Sequence, residues 1–148
     1  MRSVGALQTM LLGTHSSQAR GRHKATILVI EDETAIAELI EEGLTHAGYK
    51  IVLASSGLEG LSRIQDVEPE VIICDRVMPS MSGSELLERL RNMYPQYRDV
   101  PFIFLTALTD ARDKLAVEHL KPFAYMEKPL NFDLLERTIA RALRGGQA

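Results

Sequence analysis

The sequence predicts a doubly wound α/β fold: five parallel strands in the order 2-1-3-4-5, with helices on both faces. Three observations carry this. Short apolar runs alternate with helix-period segments five times along the chain. The runs are continuously apolar rather than alternating, as strands buried on both faces must be. Finally, polar residues follow the strands: Glu31 and Asp32 the first, Asp75 the third, Thr106 the fourth and Lys128 the fifth.

The elements follow in order. Residues 26–30 (TILVI) form the first strand. Residues 34–47 place Ile36, Leu39, Ile40, Leu44 and Ala47 at helical spacing, and Gly48 stops that helix. Residues 51–54 are the second strand, and a short helix with Leu58, Leu61 and Ile64 comes next. Residues 71–74 are the third strand. A helix over 84–91 follows, with Leu86, Leu87 and Leu90 on its apolar side. Residues 102–105 are the fourth strand, 110–120 the fourth helix and 123–126 a short fifth strand. The last helix starts near Asn131, a good N-cap residue. It is expected to bury Phe132, Leu135, Ile139 and Leu143 before Gly145-Gly146 ends it.

The length, 148 residues, suits one domain and no more. We divide it into a flexible basic extension (1–25), a folded domain (26–144) and a disordered tail (145–148). The extension has four cations and no acid, so the remainder, with 13 cations against 20 acids, stands at −7. An acidic folded part argues against direct nucleic-acid binding. No apolar run reaches the roughly 20 residues of a membrane helix. The apolar patch at 4–12 is interrupted by Gln8 and Thr9, unlike a secretory signal. It reads as a flexible extension, or as the product of an upstream start with Met10 as the alternative. The one cysteine, Cys74, lies in a strand run and reads as a small core hydrophobe. A cytoplasmic location is expected.

Function in such sheets gathers in the crevice outside the carboxyl ends of the strands. Strands one and three are neighbours at the switch point of this order, so Glu31, Asp32 and Asp75 should crowd together. Like charges at close range are costly unless a cation neutralises them. Carboxylates with room for water suit Mg²⁺. Lys128 and Thr106 add a positive charge and a hydroxyl donor. Together these groups make a site where a phosphoryl group is neutralised while a carboxylate attacks in line. Each residue alone has an ordinary structural reading, as a helix terminus, a cap or a solvent-facing lysine. All five at one sheet edge do not.

The segments VIEDE, ICDRVMP, FLTA and EKP resemble the motifs of the response-regulator receiver domain of two-component signalling, over roughly residues 26–144. The resemblance implies a flavodoxin-like (βα)5 fold with Asp75 as phosphoacceptor. It implies Mg²⁺ held by Glu31, Asp32, Asp75 and the backbone carbonyl of Val77. Thr106 resembles the switch hydroxyl, Lys128 the phosphate-binding lysine and Tyr125 the switch aromatic. Gly83 falls where the family commonly has glycine, and Met78-Pro79 matches the turn after the phosphorylated strand. The implied phosphodonor is a sensor histidine kinase or a histidine phosphotransfer protein, and the implied role is a signalling switch, not an enzyme acting on other substrates. Output would pass to a protein target through the fourth helix, fifth strand and fifth helix, a face that can also form a homodimer.

Two departures qualify this. Lys121-Pro122-Phe123-Ala124 replaces the acidic run that charged dimer contacts use. Phe123 there either makes the output face more apolar or packs under the fourth helix. Pro122 stiffens the loop that leads into the fifth strand. Val77 and Leu108, tuning positions near the phosphoryl group, are apolar and cannot orient water, which implies a long-lived phosphorylated state.

Two other functions share parts of this residue set. A phosphatase of the haloacid dehalogenase type needs a second acid two residues after its nucleophile, where Val77 and Thr34 stand. An unphosphorylated scaffold would be expected to lose a site residue, and none is lost. The chain ends soon after the fifth helix, as a stand-alone regulator would, or as the receiver part of a longer protein.

Overall fold

The structure is a computed structural model that describes residues 23–107 and 111–145. The remainder of the predicted extension (1–22), Leu108 and residues 146–148 lie outside the described residues. The elements are β1 (Thr26–Ile30), α1 (Thr34–His46), β2 (Lys50–Ala54), α2 (Gly57–Val67), β3 (Val71–Asp75), α3 (Gly83–Met93), a 3-10 turn (Pro95–Tyr97), β4 (Phe102–Thr106), α4 (Ala111–Glu118), β5 (Ala124–Glu127) and α5 (Phe132–Leu143). The five strands are parallel, in the order β2-β1-β3-β4-β5. This is the predicted doubly wound, flavodoxin-like sheet.

Alternation along the strands divides the core into two layers, because successive strand residues point to opposite faces. Leu28, Ile30, Ile72, Cys74, Phe102 and Phe104 face α2, α3 and α4, where they meet Ile64, Leu86, Leu87 and Val117. Ile27, Val29, Ile73, Ile103 and Leu105 face α1 and α5, against Ile40, Leu44, Leu135 and Ile139. Every residue of β3 and β4 is buried.

Local chemistry fixes the helix ends. Ser56 and Asn131 each accept a hydrogen bond from a backbone N–H of the first turn. Ser82 and Glu85 form a reciprocal capping box at the start of α3. α1 closes with the Tyr49 N–H on Leu44 O and Gly48 at φ 105°.

Two leucines of the helical-period sets lie outside the core. Leu58 is 57% exposed because the inward face of α2 begins with Gly57 and Gly60, which sit directly on Met81 and Ile30. Leu39 is 59% exposed because Ala37, Ile40 and Leu44 take the buried side of α1. On α5, Leu135, Thr138, Ile139 and Ala142 are buried, while Phe132 and Leu143 are only half-buried. Phe123 falls just before β5 rather than in it. It packs on the α1/α5 side with the Arg141 guanidinium 5.0 Å from its ring centre, and so not under the fourth helix.

Gly83 is the most tightly packed of the described glycines. A Cβ there would stand 2.4 Å from the Asp75 carbonyl oxygen and 3.0 Å from the Phe104 ring. Neither strand can retreat in a packed sheet. Gly83→Ala is therefore expected to destabilise the protein by about 1–3 kcal/mol, read as a lower urea midpoint at an unchanged slope.

Candidate functional site

The strand register builds the site. Ile30 pairs with Cys74, so the next residue of that chain, Glu31, comes level with Asp75. Asp75 in turn pairs with Leu105, the residue before Thr106. Glu31 is 1% exposed, Asp75 6% and Thr106 1%. Asp32, one residue further out, is exposed. One carboxylate oxygen from each of Glu31, Asp32 and Asp75 lies within 4.8 Å of the other two.

Lys128 reaches this cluster from the end of β5. Its N–H donates to Thr106 O at 2.8 Å, and the Lys128–Pro129 peptide is cis. Its Nζ stands 3.1 Å from Glu31 Oε1, 3.2 Å from Asp75 Oδ2 and 3.9 Å from Glu33 Oε1. One ammonium thus serves two buried carboxylates and an exposed third.

The electrostatics follow from burial. Desolvation is the main cause that raises the Glu31 carboxyl to about 7, with Asp75 adding to it. The Glu33 N–H and Lys128 oppose the rise. Burial alone would depress the Lys128 ammonium, but Glu31 and Asp75 outweigh it and hold the group above its ordinary value. Glu31 Oε1 is within ion-pair reach of Lys128, yet is buried without an aligned hydrogen bond. A buried anionic oxygen left short of donors, in a set of hard oxygen ligands, fits a divalent cation such as Mg²⁺.

Of the other predicted residues, Thr106 closes β4 at the same edge. Val77 is 61% exposed in the loop after β3. Tyr125 is half-buried in the middle of β4's neighbour, paired with Phe104, its ring centre 5.5 Å from that ring. Leu108 falls outside the described residues. Sequence reasoning does not single out Arg76 or Asp113, which form an ion pair at 2.9 Å beside the site. The only sequence signal for Arg76 is its place next to Asp75. Asp113 gives none, because the pair spans 37 residues.

Fold and site define a flavodoxin-like α/β protein with an acidic crevice and a lysine at its carboxyl edge. The family model for the response regulator receiver domain matches residues 27–140, and the chain belongs to that family, the receiver domains of two-component signalling. It is 36% identical over 121 residues to a probable transcriptional regulator, ycf27, of Porphyridium aerugineum, covering 82% of this chain and 49% of that protein. It is 34% identical over 122 residues to the transcriptional activator protein IrlR of Burkholderia pseudomallei, covering 82% and 52%. The chain therefore spans about half the length of these curated relatives. Among solved structures, the chemotaxis protein CheY4 of Vibrio cholerae superposes with a TM-score of 0.76 at 32% identity, covering 80% of this chain and 98% of that one. A receiver domain protein of Clostridium thermocellum gives 0.75 at 30%, covering 82% and 96%. Among the described residues, no helix is long and apolar enough to cross a membrane.

The raised Glu31 carboxyl has a consequence for stability. Its folded value of about 7 exceeds the ordinary 4.5, so the folded state binds the proton more tightly than the unfolded state. Stability should fall as pH rises between those values, by up to about 3 kcal/mol from this group. Urea melts in chelator at pH 4.5 and 7.5 should show that slope in the parent and a much flatter one in Glu31→Gln.

Proposed function

We propose that the chain is a phosphoacceptor switch in which Asp75 takes a phosphoryl group from a phosphohistidine donor. The observation that carries this is the Lys128 ammonium, held 3.2 Å from Asp75 Oδ2 and 3.1 Å from Glu31 Oε1 beside the three-carboxylate cluster. A carboxylate oxygen of Asp75 attacks phosphorus. The P–N bond breaks, the imidazole leaves neutral if its other nitrogen is protonated, and an acyl phosphate remains. Lys128 offsets charge on the transferred oxygens, and the Thr106 hydroxyl offers them a donor. Glu31, Asp32, Asp75 and the Val77 carbonyl would hold Mg²⁺, which when bound supplies further neutralisation at those oxygens.

Thr106 turning toward the phosphoryl group vacates space for Tyr125 to rotate inward. The α4–β5–α5 surface would then read out the change. Leu115, 64% exposed on α4, adds an apolar contact to that surface. The donor would be a sensor histidine kinase or a histidine phosphotransfer protein, and the output a protein target. Val77, exposed and apolar two residues after Asp75, cannot orient an attacking water. We read it as favouring a persistent signal.

Asp75→Ala should abolish incorporation of labelled phosphate from a phosphorylated kinase while far-UV circular dichroism is unchanged. Acid-labile, single-site labelling of the variant at the parent's level would refute the assignment. In the labelled parent background, Val77→Asn should shorten the phosphoprotein half-life by about tenfold or less. An unchanged half-life would remove Val77 as a determinant.

A further inference from the structure

We propose that Arg76, Asp113 and Tyr125 form a latch that ties the first turn of α4 to the residue beside Asp75 and opposes inward rotation of Tyr125. The inference rests on the phosphoacceptor reading above. Arg76 follows Asp75 directly and leaves the sheet toward α3 and α4. Its Nη2 donates to Asp113 Oδ1 at 2.9 Å, and its Nη1 donates to Ser84 Oγ at 3.0 Å. The guanidinium lies 5.9 Å from the Phe104 ring centre. The other oxygen of Asp113, Oδ2, accepts the Tyr125 hydroxyl. Both carboxylate oxygens are therefore engaged, one with the neighbour of Asp75 and one with the switch aromatic.

Val117, about one turn after Asp113, is the buried residue of that helix, and Leu115 is 64% exposed. The Lys114 ammonium lies 5.6 Å from the Tyr125 ring centre. Inward rotation of Tyr125 would draw its hydroxyl away from a half-buried carboxylate, and a hydrogen bond to a charged group is among the costlier ones to lose. The environment of Tyr125 agrees. Burial and then the Asp113 hydrogen bond raise its hydroxyl above the ordinary value, while Arg76 beside it offsets part of the rise. Arg76 Nε is buried without a hydrogen-bond partner, so Asp113 and Ser84 supply the polar anchoring of that side chain. Arg76 and Asp113 act through Tyr125 and are positioning residues.

The test uses the full chain, labelled with fluorotyrosine, and beryllofluoride with Mg²⁺ as the probe. Asp113→Asn without the probe should move the Tyr125 fluorine resonance part of the way to its position in the probe-bound parent. Asp113→Asn and Tyr125→Phe should each tighten apparent beryllofluoride affinity by about threefold to tenfold, followed by the Arg76 amide resonance. Arg76→Gln should move the same way, and Arg76→Lys, which keeps a cation, should remain near the parent. If the parent responds to the probe while Asp113→Asn shows the parent's resonance and affinity, the latch is overturned alone. If the parent does not respond at all, the phosphoacceptor reading falls and the latch with it.

Discussion

Everything at the carboxyl edge depends on one electrostatic imbalance. The register of β1 on β3 forces Glu31 and Asp75 to the same level, and Asp32 lies one residue away. One ammonium, Lys128, faces them. Buried carboxylates without full pairing are expensive, and the raised Glu31 carboxyl expresses that expense. The sheet tolerates it because its interior is otherwise apolar and tightly packed on both faces. The same imbalance makes the edge receptive to added positive charge, or to a group that arrives with its own cation. Stability given up here is what a binding site at this edge requires.

The fold was legible because parallel strands buried on both faces leave unbroken apolar runs, and four of the five runs lead into a residue of the candidate site. Asp75 after VIIC is the plainest case. The strands extend one residue further than hydrophobicity suggests, to Asp75 in β3 and Thr106 in β4, because backbone pairing continues past the apolar run. Helix faces were less legible. Leu58 and Leu39 fall at helical spacing with buried residues, but glycine contacts on α2 and the buried Ala37–Ile40–Leu44 side of α1 turn both outward. The Arg76–Asp113–Tyr125 contacts were invisible, since they join residues far apart in sequence through a helix with weak apolar patterning.

α4 is held differently from α1 and α5. α1 and α5 share a continuous apolar layer with β1, β3 and β4, and Phe123 is covered there by Arg141. α4 instead has Val117 buried, with polar contacts supplying much of the rest. Elements with few buried apolar contacts open at lower free energy than the core. That difference places the compliant part of the fold next to Tyr125 and away from the α1/α5 layer, so a local change at the edge need not disturb the sheet.

Cys74 supplies a last consequence. It is the one cysteine of the chain, fully buried in the central strand. Burial, with Asp75 and Glu31 adding to it, holds its thiol well above the ordinary range, so the nucleophilic thiolate is suppressed while the sheet is intact. The Cys74 side chain points into the apolar layer under α2, α3 and α4, so a thiol-modifying reagent gains access when that helical layer lifts from the sheet. The molecule thus contains a native chemical clock for opening of that core layer, readable without any engineered label.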